Sequence, residues 1–268
     1  MARTLALAGA VLFATTAGCG SSSTPSPSSS GDAGEPVESG PATTTDGGAL
    51  PADASYTIGD AGVSASRFVT SVVSFTPTDC AGFGAGSLPG IVEGPPAGGG
   101  SEHGSTDVVS LGSGGSIVVS FAPNAIVDGP GPDFIVFENP FFIGGNSNDV
   151  YAEPAEVSVS DDGTTWQIFP CNPTINLSAT DGTGTEPPYG ACGGWQVVYS
   201  APGNGISPFD PATAGGGAYD LADLGVTHAR YVRIVDRTVE NCPEAGPDKP
   251  TTNGFDLDAV AIVNAEQP

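Results

Sequence analysis

Thirty acidic side chains face six basic ones in this 268-residue chain, and only two histidines, His103 and His228, accompany them. This inventory bounds the chemistry. A histidine-based acyl-transfer triad would have to use one of those two, and no Gly-x-Ser-x-Gly turn offers a nucleophile. No His-Glu-x-x-His metal motif occurs. The glycine clusters at 98–100 and 112–115 lack the lysine and following helix that would cradle a phosphate. His103, in a glycine-rich loop, reads as solvated, and His228 as a loop residue before a strand. Carboxylate oxygen is what the chain has in excess. Calcium takes six to eight hard oxygens from carboxylates and carbonyls, and Glu138, at a strand end, and Glu153, in the loop after it, are candidate ligands. There is no EF-hand spacing and no repeated Gly-Gly-x-Gly-x-Asp array. A paired-carboxylate glycosidase needs only two such acids, but no spacing selects a pair, so the chain is expected not to be an enzyme.

The net charge of −24 repels nucleic acid and anionic lipid head groups. It suits calcium, a cationic partner or simple solubility. Aromatic rings at loop tips are the other recognition chemistry, because ring faces pack on sugar C–H groups. Phe141, Phe142, Tyr151, Tyr189, Trp195 and Tyr219 lie in or beside loops. Phe141 and Phe142 read as a loop tucked into the core, whereas Tyr189 and Tyr219 are the expected exposed, ligand-binding rings. Four cysteines besides Cys19 read as disulfides in an oxidising compartment. Three pairings exist; Cys171–Cys192, stapling the Gly/Pro-rich loop between them, with Cys80–Cys242, is the favoured one. No Cys-x-x-Cys spacing points to zinc.

The elements that must hold these groups are strands. Residues 67–75 (RFVTSVVSF), 116–121 (SIVVSF), 133–138 (DFIVFE), 156–160 (EVSVS), 165–169 (TWQIF), 195–199 (WQVVY), 230–235 (RYVRIV) and 257–263 (LDAVAIV) are rich in β-branched and aromatic residues. Pro and Gly clusters separate them. The run 133–138 is nearly all apolar, as in a strand between two layers. Asp161-Asp162-Gly163 turns 156–169 into a hairpin, with Trp166 expected to anchor it in the core. Val232 and Ile234 share one face of their strand, and Arg230 and Arg233 are read as ion-pair partners for carboxylates. Only 220–224 (DLADL) reads as helical, for one turn. The fold class is all-β, an antiparallel jelly roll or β-sandwich.

Ahead of it, Arg3 and the apolar run 5–13 (LALAGAVLF) make a secretory signal, too short to span a bilayer. Thr16-Ala17-Gly18-Cys19 resembles the lipobox of bacterial lipoproteins, with Thr where that family more usually has Leu. The resemblance implies cleavage after residue 18 and lipidation of Cys19. Residues 19–55, nearly all Ser, Thr, Pro, Gly and small residues, bury too little surface to order and read as a disordered tether. Residues 56–268 form the domain. The chain is thus expected to be exported and held by lipid to the envelope, at the outer membrane or cell surface.

Three segments in order carry a family likeness. EVSVSDDGTTWQIF (156–169), ARYVRIV (229–235) and GFDLDAVAIV (254–263) resemble the hairpin, the Arg-Tyr-Val-Arg strand and the last strand of discoidin-like (coagulation-factor type C, galactose-binding-like) domains. The likeness covers roughly residues 105–264. DVVSLGSGGSIVVSF (107–121) and GPDFIVFENPF (131–141) also resemble bacterial cell-surface lipoproteins. The discoidin-like resemblance implies a jelly roll with a calcium between an early loop and an acid on the last strand. Here that acid is Asp258, with Asp256 two residues earlier on the same face, and the loop 101–107 (SEHGSTD) offers Glu102 and Asp107. The Asp-Gly-Asn run usual in that loop is absent. The resemblance implies a non-catalytic module binding a glycan or other cell-surface polymer. The alternatives are a structural or adhesive envelope protein that contacts other proteins, and a glycan-active enzyme.

Overall fold

β-Branched and aromatic residues form the strands, and turn formers separate them, as the alternation requires. The computed structural model describes residues 66–78, 81–147, 149–172, 190–238 and 254–268. The signal at 1–18, Cys19, the tether at 19–55, Cys80, Cys242 and Tyr189 lie outside the described residues. The strands are β1 (Ser71–Thr76), β2 (Val109–Ser110), β3 (Ser116–Ser120), β4 (Ile126–Val127), β5 (Phe134–Phe137), β6 (Phe141–Phe142), β7 (Val150–Tyr151), β8 (Ala155–Ser160), β9 (Gln167–Ile168), β10 (Gly217–Tyr219), β11 (His228–Ala229), β12 (Tyr231–Asp236), β13 (Asp256–Leu257) and β14 (Ala259–Ile262). They build an all-β antiparallel sandwich. One sheet runs β1-β3-β12-β8-β9 and the other β10-β5-β14, with the short pairs β11-β4, β13-β2 and β6-β7 beside them. Among the described residues no helix is long and apolar enough to cross a membrane.

Period-two alternation sets the core. Val232 and Ile234 of β12 stand opposite Val119 and Ile117 of β3 on one side and Val159 and Val157 of β8 on the other. All six are fully buried, and they pack against Phe134, Val136, Val260 and Ile262 of the second sheet. Each such side chain contributes roughly 1.5–3 kcal/mol of burial. β5 explains its unbroken apolar run. Phe134 and Val136 face this core, while Ile135 and Phe137 face a second one with Val198, Ala214, Ala259 and Ala261. Both faces of the strand are covered, so neither alternates with polar residues.

The hairpin turns as its sequence requires. Gly163 takes φ +72°, and Asp162 accepts the backbone N–H groups of Thr164 and Thr165 at 2.7 Å each. Those bonds, Thr165 first, hold its carboxyl well below the usual range. Leu221–Leu224 is a single 3₁₀ turn, with the Asp220 side chain accepting from Ala222 N–H and Gly225 closing it at φ +65°.

Four expectations need correction. Residues 195–199 do not form a strand; their one ladder contact is a Val198–Gly215 bridge. Their neighbours are bent loops, with Gly215 and Gly216 at φ +73° and +75°, so no straight partner exists. Trp166 does not enter the core: it lies half-buried on the outer face, 4.4 Å beneath the Arg233 guanidinium, and Phe169 is the residue buried instead. Arg233 therefore stacks on an indole and donates to Ser158 Oγ at 3.1 Å. Arg230 and Arg237 do meet carboxylates, Asp161 at 3.7 Å and Glu156 at 2.7 Å. His228 belongs to β11 rather than a loop and bonds Asp161 at 2.6 Å. His103 is exposed, as read.

The Cys171–Cys192 disulfide is present. It sits between the bridges Cys171–Gly190 and Ala155–Gly193, at the margin of β8.

Candidate metal centre

Glu138, Glu153 and Asp256 come from three separate parts of the chain, and one carboxylate oxygen of each lies within 4.8 Å of the others. All are buried, at 2%, 2% and 5% exposure. Glu138 directly follows β5, so the doubly covered strand carries it inward. Glu153 lies between β7 and β8. Its N–H donates to the Gly194 carbonyl at 3.2 Å, and its Oε1 accepts from Gly254 N–H at 2.7 Å. Gly254 sits at φ +82°, where a Cβ would meet the Asp236 carboxylate, so this donor position needs glycine. Asp256 opens β13 opposite Ser110 of β2. The Ser110 hydroxyl donates to its Oδ1, and Asn139 Nδ2 donates to its Oδ2 at 3.3 Å. Asp256 N–H in turn donates to Glu138 Oε1 at 3.3 Å.

Glu138 Oε2 is buried and has no hydrogen-bond partner. Burial first, then the charges of Glu153 and Asp256, push the Glu138 carboxyl well above the ordinary range. An orphaned buried oxygen costs about 1–3 kcal/mol, and more when charged. A proton would remove the charge of Glu138; a cation would meet the orphaned oxygen and all three acids at once. Oxygens bound to one calcium at 2.3–2.6 Å sit up to about 5 Å apart, so the observed spacing fits a single shell. The group contains only oxygen donors, which suits a hard cation rather than zinc.

A pocket of about 230 Å³ opens onto Glu153 and Asp256. Asn139, Ser105 and Thr106 supply its other polar lining, and Phe141 and Tyr151 an aromatic wall. Those two rings stack at 5.3 Å, 19° apart, across the β6-β7 pair. Tyr151 is 41% exposed. Glu138 does not line the pocket.

Three of the six acids singled out as calcium ligands therefore converge, and three do not. Glu102 and Asp107 are exposed. Asp258 is buried, but both its oxygens accept from Ala97 N–H, at 3.1 and 3.0 Å. Burial chiefly, with the Asp107 charge adding to it against the Ala97 bond, pushes its carboxyl up to about 7. Asp256 and Asp258 were expected on one face of one strand. The chain changes partners between them: β13 pairs with β2 and β14 with β5, so the two acids face different surroundings. The loop 101–107 does reach the site, through the Ser105 carbonyl, which accepts from Asn139 Nδ2 at 3.1 Å.

Tyr219 is also corrected. It is 3% exposed and stacks on Phe134 at 5.0 Å, because it closes β10 beside β5 and turns into the core. Phe141 and Phe142 are half-buried rather than tucked away. Sequence reasoning missed Ser110, Asn139, Gly194 and Gly254. The one signal available was Glu-Asn directly after an all-apolar strand.

A second acidic group, Asp128, Asp133 and Asp220, also has oxygens within 4.8 Å of one another. Asp133 is fully buried. Its Oδ1 accepts from Gly129 N–H and Asn264 Nδ2, both at 2.8 Å, and its Oδ2 from Leu221 N–H at 2.7 Å. No family model matches the chain, and no curated protein matches it.

Proposed function

We propose that this chain is a non-catalytic, lipid-anchored envelope module whose sandwich is locked by one calcium ion at Glu138, Glu153 and Asp256, and which presents a recognition surface to a glycan or other cell-surface polymer. The observation that carries the cation is Glu138 Oε2, buried without a partner beside two further carboxylates. The signal-like segment and Cys19 support the anchor. The stacked Phe141–Tyr151 pair beside the pocket supports recognition. A glycosidase is disfavoured by the arrangement. Its acid must face the substrate, whereas Glu138, whose carboxyl burial pushes well up, does not line the pocket, and Glu153 Oε1 and Asp256 Oδ1 are occupied by protein donors.

The test uses the full-length chain. At calcium about a hundredfold over Kd, binding adds about 2.7 kcal/mol, which for a domain of this size raises Tm by about 5–10 °C over the chelated protein. Metal analysis should find one calcium per chain, lost in Glu138→Gln. A melt indifferent to chelator, with no ion in metal analysis, removes the site.

A further inference from the structure

We infer that the pocket beside the carboxylate triad takes one residue of a neutral saccharide, whose adjacent hydroxyls complete the coordination of the cation while its C–H face packs on Phe141 and Tyr151. This rests on the cation reading above.

Three carboxylates, giving one oxygen each within 4.8 Å of one another, fill half or less of the six to eight positions of calcium. Glu153 and Asp256 line the pocket and Glu138 does not. A cation held by all three would therefore stand beside the pocket, from which its remaining positions can be filled. Whatever fills them must bring hard oxygen. Three carboxylates against a dication leave one net negative charge, within a chain of net charge −24. An anionic donor is thus opposed, and a neutral hydroxyl or water is favoured. Water would serve anywhere, but this pocket has an aromatic wall. The Phe141 and Tyr151 rings stack beside the acids, and Tyr151 reaches the surface. Ser105 and Thr106 stand at the same pocket with hydrogen-bonding groups. An aromatic wall for C–H, two lining carboxylates beside it and further polar groups around them match a sugar ring. At about 230 Å³ the pocket is below the roughly 300–1,000 Å³ of sites for drug-sized ligands, so it holds one ring of a longer chain.

Terbium as the calcium stand-in provides the readout, because its emission lifetimes in H₂O and D₂O count bound waters. The full-length chain is loaded with terbium and titrated with the methyl glycosides of galactose, mannose and glucose. At least one should displace about two waters from a cation carrying six to eight oxygens. In calcium the same glycoside should bind at least tenfold more tightly than in chelator, and methyl glucuronide less tightly than its neutral counterpart. Tyr151→Ala should weaken the glycoside about tenfold, corresponding to about 1.4 kcal/mol, while terbium affinity stays within twofold. Failure of terbium to bind would sink the cation reading and this inference with it. Bound terbium whose waters no glycoside displaces, or glycoside binding that survives chelation unchanged, would overturn the sugar inference and leave the cation site standing.

Discussion

Two acidic groups of the same size and spacing behave as opposites. Around Asp133 both oxygens of the buried carboxylate are met from within: Gly129 and Leu221 N–H and the Asn264 amide converge on it, and Asp220 caps a 3₁₀ turn. This is a knot tying β5 to the 220–225 turn and the C-terminal segment. Around Glu138 the donors stop one oxygen short. Proximity of carboxylates is common to both groups. What separates a cation site from a structural knot is the unmet oxygen.

The largest expected effect tests the knot. Asp133→Ala strands three donors at about 1–3 kcal/mol each, so a loss of about 4–5 kcal/mol should appear in urea unfolding, equal in calcium and in chelator. A loss confined to calcium would mean the two groups are the same kind of site. Next comes pH. Asp258 titrates near 7 in the fold against an ordinary 3.8, so the folded state holds the extra proton between those values. Stability of the chelated protein should then fall as pH rises from about 4 to 7, by up to about 4 kcal/mol at 1.36 kcal/mol per unit. Glu138, raised in the same direction, adds to the slope. Calcium should remove the Glu138 part by competing with its proton, and Asp258→Asn should remove its own, leaving that of Asp236, whose carboxyl burial also pushes up. A pH-flat chelated protein would break this contrast. The smallest effect on calcium is at Gly254. Ala at φ +82° costs about 1–3 kcal/mol of backbone strain besides the clash of its Cβ with the Asp236 carboxylate, and it disturbs the N–H that holds Glu153 Oε1. Calcium titration should show weaker binding; unchanged affinity would mean that this donor does not set the Glu153 carboxylate.

The sandwich was legible because its strands obey local rules. Val232 and Ile234 alternate inward, and 134–137 is apolar throughout because both faces are covered. Cys171 and Cys192 pair as their flanking of one loop suggested. Glu138, Glu153 and Asp256 were all among the acids singled out. Their separation from Asp258 was not readable, since period-two reasoning assumes one continuous strand and the chain changes sheets at that residue. Tyr219 was misplaced for a related reason: Gly and Asp around it mark loops, but the ring's fate depends on β5, more than eighty residues earlier. Ser110 and Gly254 act through backbone geometry and a single hydrogen bond, which leave no compositional trace.

The Cys171–Cys192 bond closes the chain on itself between two ladder bridges at the sandwich margin. A protease that cut anywhere from 173 to 189 would leave both fragments covalently joined. The clipped protein should migrate as an intact chain until reductant is added, so the domain loses continuity there without shedding either piece.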